Sequence, residues 1–224
     1  MIYQNEIKHI IDPADKAAII ANMRQVAQLD PNVGPTGTYL IRSLYFDNLT
    51  DKALREKKDG VNEREKFRIR YYNGDTSFIK LEKKVKRNSM GYKVTAPLTA
   101  KEAKRIVDGD TTWMATSGRG LIIELYSKMK SQLMRPKTIV DYTRTPFIYK
   151  PGNVRVTIDE NIRTGLRCTD FLNPDCVTIP AGDYVIVLEV KWDEYLPNII
   201  RRAVHVRDRR ESAFSKYERC RIYD

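Results

Sequence analysis

The chain has 224 residues, with 40 Lys and Arg against 29 Asp and Glu, a formal charge of +11, and cations spread from Lys8 to Arg221. Such a charge suits a phosphate-rich partner, either nucleic acid or a small polyanion, and equally a basic solvated surface. The length, with no Ser/Gly-rich linker or shift of composition, predicts one domain over residues 1–224. Cys168, Cys176 and Cys220 are odd in number and show no C-x-x-C spacing, which predicts a reduced, cytoplasmic setting. No apolar run reaches the roughly 18 residues that a bilayer requires, so neither a signal peptide nor a membrane span is predicted. The two histidines, His9 and His205, are isolated, which excludes a His-based triad and leaves carboxylates, Lys, Arg and a metal to carry any chemistry.

In chain order, residues 2–11 alternate as a strand, with Gln4, Glu6 and Lys8 on one side and Tyr3, Ile7 and His9 on the other. Asp12-Pro13 then opens a helix over about 13–29 whose apolar face is Ile19, Ile20, Met23, Val26 and Ala27. Residues 38–47 read as a strand, and a short polar helix over 50–58 ends near Gly60. In 64–72 the two-residue period gathers Arg64, Lys66, Arg68, Arg70 and Tyr72 opposite Glu65, Phe67, Ile69 and Tyr71. In 77–86 it gathers Phe78, Lys80, Glu82, Lys84 and Lys86 opposite Ile79, Leu81, Lys83 and Val85. Asn73-Gly74-Asp75 joins these two runs as a hairpin. Later strands repeat the pattern: Val140, Tyr142 and Arg144 in 137–148; Arg155, Thr157 and Asp159 in 153–160; Glu189 and Lys191 in 184–192. Helices over 99–108, 117–130 and 195–206 complete the reading.

For one hairpin, solvent is the more usual explanation of a charged face than a lumen. Its repetition in strand after strand, beside amphipathic helices that need an apolar surface to cover, predicts an α+β fold. The expected form is a closed antiparallel β-barrel of about eight strands, helices outside and charges inside. Unpaired cations a few ångströms apart repel by several kcal/mol in a low dielectric, so the lumen calls for a polyanion. Arg binds phosphate oxygens through a planar fork, and Lys adds compact charge. Carboxylates on the same faces, Glu6, Glu82, Asp159 and Glu189, have the wrong sign for phosphate and suit Mg²⁺ or Mn²⁺.

Gln4-x-Glu6-x-Lys8 resembles the E-x-E-x-K signature of triphosphate tunnel metalloenzymes, the CYTH-like superfamily, with Gln in place of the first Glu. Further motifs, in order, resemble the vacuolar transporter chaperone (VTC) polyphosphate polymerase domain. They are Ser43-Leu44-Tyr45-Phe46-Asp47, Lys66-Phe67-Arg68-Ile69-Arg70, Tyr142-x-Arg144, Arg155-x-Thr157-x-Asp159, Leu188-Glu189-Val190-Lys191 and Ser215-Lys216-Tyr217. The resemblance implies that Arg68, Arg70 and Lys80 grip nucleotide phosphates, that Arg144, Arg155 and Lys8 add contacts, and that Lys216 closes the tunnel. Glu189 would hold the metal, with Glu6 and Glu82 as further candidates, and Lys66, Lys84, Tyr142 and Lys191 would touch substrate.

The resemblance also implies ATP and inorganic polyphosphate as ligands, Mn²⁺ or Mg²⁺ as cofactor, and a membrane partner on another chain that would draw a cytoplasmic protein to the membrane surface. Gln4 lacks a charge that hydrolytic members use for metal, which favours a polymerase. Phosphoryl transfer on such a scaffold needs no protein nucleophile, only alignment and charge neutralisation. Gly118-Arg119-Gly120 is too short for a P-loop. A triphosphatase with the same tunnel remains an alternative. So does a nucleic-acid binder using Lys83-Lys84-Val85-Lys86-Arg87, although Glu interspersed at strand period speaks against it.

Overall fold

The computed structural model describes residues 4–87, 90–206 and 209–223; Tyr3, and with it the start of the expected first strand, lies outside them. The main strands are β1 (Asn5–Ile11), β3 (Tyr39–Asp47), β4 (Arg64–Tyr72), β5 (Asp75–Arg87), β6 (Met90–Leu98), β7 (Arg135–Tyr149), β8 (Val154–Thr164) and β10 (Ile186–Trp192). They form one sheet in the order β1-β10-β8-β7-β3-β4-β5-β6, with two-residue strands β2 (Gln28–Leu29) on β7 and β9 (Ile179–Pro180) on β8. Every pairing is antiparallel. The helices are α1 (Pro13–Val26), α2 (Lys52–Lys58), α3 (Ala100–Val107), α4 (Gly120–Ser131), α5 (Asn198–Ala203) and α6 (Lys216–Arg219).

Local sequence accounts for the key hairpin. Asn73 and Gly74 both take positive φ, 51° and 74°, the combination a two-residue hairpin turn requires and that Asn-Gly supplies at low cost. The turn sets the register of β4 and β5, placing Arg68 opposite Glu82 and Arg70 opposite Lys80. Their other faces carry Phe67, Ile69, Ile79 and Leu81, all buried beneath Ala103 and Ile106 of α3 and Leu121, Ile122 and Leu125 of α4. Burying each large side chain contributes about 1.5–3 kcal/mol. Across the sheet, Val156, Ile158, Leu188 and Val190 pack against Ile19 and Met23 of α1 and Ile200 of α5. Ile20, Val26 and Ala27 complete the α1 contact, and α1 is started by a capping box between Asp12 and Asp15. Helices α1, α3, α4 and α5 therefore cover the apolar outer face, and the charged faces look inward. The charges on the outer face also go to a helix: Glu65 receives Lys83 at 2.9 Å and Lys128 of α4.

The sheet curls into a half-barrel rather than the closed barrel expected. Among the described residues its two edges meet through one backbone bridge, Gln4 N–H to the Gly91 carbonyl at 3.1 Å. A side-chain link spans the seam, Lys84 of β5 to Glu6 of β1 at 2.9 Å. The free edge of β1 is partly taken by the C-terminal segment, where Ser212 N–H donates to the Lys8 carbonyl at 2.8 Å and His9 bridges Glu211.

That segment leads into α6, which fills one end of the concave side. Tyr217 is buried, stacks on Tyr45 with ring centroids 5.0 Å apart, and donates to Asp47 at 2.7 Å. Asp47 also accepts the Ala53 and Leu54 amides at the start of α2, so one buried carboxylate ties three elements together. Among the described residues no helix is long and apolar enough to cross a membrane.

Candidate functional site

The concave face carries three connected charge clusters. In the first, Glu82 has a side chain only 1% exposed and receives Arg68 at 2.6 Å, Lys93 at 3.0 Å and Arg70 at 3.8 Å. Arg68 also donates to the Tyr45 hydroxyl at 2.8 Å, and Arg70 to Ser43 at 2.9 Å and Tyr142 at 3.0 Å. Burial alone would raise the Glu82 carboxyl, but Arg68, Arg70 and Lys93 outweigh it and hold it well below the usual carboxylate range.

The second cluster lies under Tyr142. Arg144 clamps Asp159 through two hydrogen bonds of 2.6 and 2.7 Å, and Lys216 reaches the same carboxylate at 2.5 Å. Asp159 is fully buried, and these two cations overcome its desolvation to keep it ionised. The Tyr142 ring has Arg70, Arg144 and Lys216 against it, at 5.8, 5.4 and 4.7 Å from the centroid, which joins this cluster to the first.

The third lies at the seam. Lys8 contacts Glu6 at 2.7 Å and Glu189 at 3.5 Å; Lys191 contacts Glu189 at 2.9 Å and Glu6 at 3.5 Å; Lys84 reaches Glu6. Burial, then Lys8 and Lys191, push the Lys84 ammonium down to about 7. Lys66 is also pushed down to about 7, by burial and by Lys57 and Arg64; its ammonium donates to Ser215 at 3.3 Å. In both lysines burial is the larger cause, and the neighbouring cations add to it.

The expected residues thus converge unevenly. Lys8, Lys66, Arg68, Arg70, Lys84, Tyr142, Arg144, Lys191 and Lys216 line one continuous band. Lys80 is in register with Arg70 but rests over the half-exposed Phe78 ring at 4.3 Å, and Arg155 turns to Asp30 at 2.8 Å and Tyr39 at 2.6 Å. Of the carboxylates considered for metal, Glu6 and Glu189 lie together, whereas Glu82 stands on the other wall holding Arg68. Gln4 donates to Asp193 at 2.9 Å.

Lys93 lies outside the expected set, which has no strand over β6; the alternation Tyr92-Lys93-Val94-Thr95-Ala96 after Asn88-Ser89 is the sequence signal that marks it. Thr157 belongs to the Arg155-x-Thr157-x-Asp159 motif, and the structure gives it a place beside a carboxylate. It faces Glu189 across β8 and β10, and its buried hydroxyl has no hydrogen-bond partner among the described residues.

A half-barrel with helices outside and a basic, carboxylate-studded concave face defines a protein of the CYTH-like tunnel fold. The sequence pattern of the VTC domain matches residues 3–222, and the chain belongs to that family. No curated protein matches the sequence. Among solved structures, a Bacillus halodurans protein described as a candidate adenylate cyclase is 13% identical, with 84% of this chain and 81% of that one covered at a TM-score of 0.51, a likeness of fold. A Pyrococcus horikoshii protein is 12% identical over 90% of this chain and 84% of its own, at a TM-score of 0.42.

A tunnel-metalloenzyme relationship suggests a divalent metal. Among the described residues no three His, Cys, Asp or Glu side chains converge on one point. Glu6 and Glu189 nevertheless fit such an ion. They share the same two ammonium groups, the orphaned Thr157 hydroxyl lies beside Glu189, and hard cations such as Mg²⁺ use one or two carboxylates and complete their shell with phosphate and water oxygens.

Proposed function

We propose that this chain is a metal-dependent polyphosphate polymerase that transfers the γ-phosphoryl group of ATP to the end of a growing inorganic polyphosphate chain. The observation that carries the reading is the unbroken inward band of guanidinium and ammonium groups around Tyr142, in a chain that belongs to the VTC domain family. Arg68, Arg70 and Arg144 supply fixed N–H forks, each braced by a buried carboxylate or hydroxyl, so they meet phosphate oxygens without first being ordered. Lys8, Lys84, Lys191 and Lys216 add compact charge along the same line. The transferred group needs its two oxygen partners in line and its spreading charge neutralised, which this arrangement offers without a protein nucleophile.

Glu6 and Glu189 would hold one Mg²⁺ or Mn²⁺, which would supply Lewis-acid charge to bridging phosphate oxygens. Glu82 and Asp159 position arginines instead. Gln4 brings no charge to the metal side, which favours the polymerase over the triphosphatase of the same fold. Cations set on the concave face with carboxylates among them disfavour a duplex nucleic acid, which a continuous exposed basic patch would suit better. The single domain, the cytoplasmic location and a membrane partner on another chain belong to the same proposal. Incubation with ATP and Mn²⁺ followed by phosphorus NMR tests it: the polymerase produces internal phosphate resonances of long chains, whereas diphosphate and phosphate alone would assign a triphosphatase.

A further inference from the structure

The thiols lie outside this chemistry. Cys168 and Cys176 sit in the stretch 165–178 between β8 and β9, which contains no helix or regular strand. The stretch is nonetheless held firmly against the outer face. Phe171 is fully buried against Tyr71, with ring centroids 4.8 Å apart; the Tyr71 hydroxyl donates to the Phe171 carbonyl at 3.0 Å and Arg42 to the Asn173 carbonyl at 2.6 Å. Turns at each end, Cys168 N–H to Gly165 at 2.9 Å and Cys176 N–H to Asn173 at 3.2 Å, bring the two cysteines back together. Their sulfurs lie 2.8 Å apart, and both residues are half-buried, within reach of a small reagent. Cys220, by contrast, is buried beside α6.

We propose that Cys168 and Cys176 form a reversible intramolecular disulfide that clasps this loop over the outer core. The co-reactant is a small disulfide such as oxidised glutathione. One cysteine thiolate attacks it, releasing one reduced glutathione and leaving a mixed disulfide; the second cysteine, losing its proton, attacks the protein sulfur and releases another. Two thiols are oxidised, one disulfide is reduced, and two glutathione thiols carry the hydrogens. Burial and the neighbouring Cys168 push the Cys176 thiol up to about 12, so exchange quickens as pH rises. The clasp closes a short loop on the outer face, stabilising the chain without touching the phosphate groove.

The test uses the full chain treated with oxidised glutathione at about pH 8.5. No Lys or Arg lies between Cys168 and Lys191, so both cysteines fall in one tryptic peptide. That peptide is expected to be lighter by two hydrogens and inert to iodoacetamide, to recover on reduction, and to accompany a rise in melting temperature of about 5 °C. The rise should be absent in Cys176→Ser and in the Cys168→Ala/Cys176→Ala double variant. Lasting glutathione adducts, a link to Cys220 or to a second chain, or a disulfide that leaves the melting temperature unchanged would each overturn the proposal; the wild-type mass shift reads out even where a variant fails to fold.

Discussion

Arg68→Ala is expected to lower turnover by about 10²–10³, the scale of losing one preorganised donor to transition-state charge. The side chain also has a structural task, because it is the nearest cation to a carboxylate with a side chain 1% exposed. Removing it leaves Glu82 with Lys93 at 3.0 Å and Arg70 at 3.8 Å, and breaking a buried pair from one side costs up to about 3–5 kcal/mol. The two effects separate in Arg68→Ala/Glu82→Gln, which removes the stranded charge. That double variant should recover most of the lost melting temperature and none of the turnover. Recovery of both would reduce Arg68 to a packing residue and leave phosphate binding to Arg70 and Arg144.

Glu189→Gln is expected to abolish transfer while nucleotide still binds. The substitution keeps size and hydrogen-bonding capacity but removes a charge that a hard cation needs, worth about 10²–10³ in rate. Anion binding should survive, since Lys8 keeps Glu6 at 2.7 Å and both ammonium groups stay in place with less negative charge beside them. Titrating Mn²⁺ into wild type and variant, with turnover and nucleotide affinity read separately, decides the matter. Normal turnover at ordinary metal concentration would leave Glu6 as the carboxylate that holds the ion.

Much of this arrangement was legible because strands encode direction in their alternation. Phe67, Ile69, Ile79 and Leu81 had to be buried together, the amphipathic helices needed that face, and Arg68, Arg70, Glu82 and Lys84 were left with the opposite one. Closure was not legible, since alternation says which face a side chain takes and not which edges pair: among the described residues the two sheet edges meet only at the Gln4–Gly91 bridge. Nor could a period-two pattern tell which carboxylates share a site. Glu6 and Glu189 meet because β1 pairs with β10, while Glu82 belongs to the far wall with β4 and β6. Arg155 shows the same limit: strand parity puts it on the inner face, and only tertiary contact turns it to Asp30. The cysteine spacing points to a reduced compartment and says nothing of proximity, whereas the anchored loop brings two of the three sulfurs together.

The central claim is that the inward band is a site for linear polyphosphate, and calorimetric titration of the metal-free protein with tripolyphosphate and with duplex DNA tests it most directly. In about 0.2 M salt, exposed charges are screened over roughly 8 Å while enclosed ones are screened much less. Tripolyphosphate should bind and should draw protons onto Lys66 and Lys84, both held near 7 chiefly by burial. A bound polyanion favours their charged forms, so affinity should be strongest below pH 7 and weaken as pH rises above it. Heats measured in buffers of different ionisation enthalpy would register that proton uptake. Duplex DNA should bind weakly and lose affinity steeply with salt. Tight, salt-resistant binding of DNA with no binding of tripolyphosphate at any pH would contradict the account.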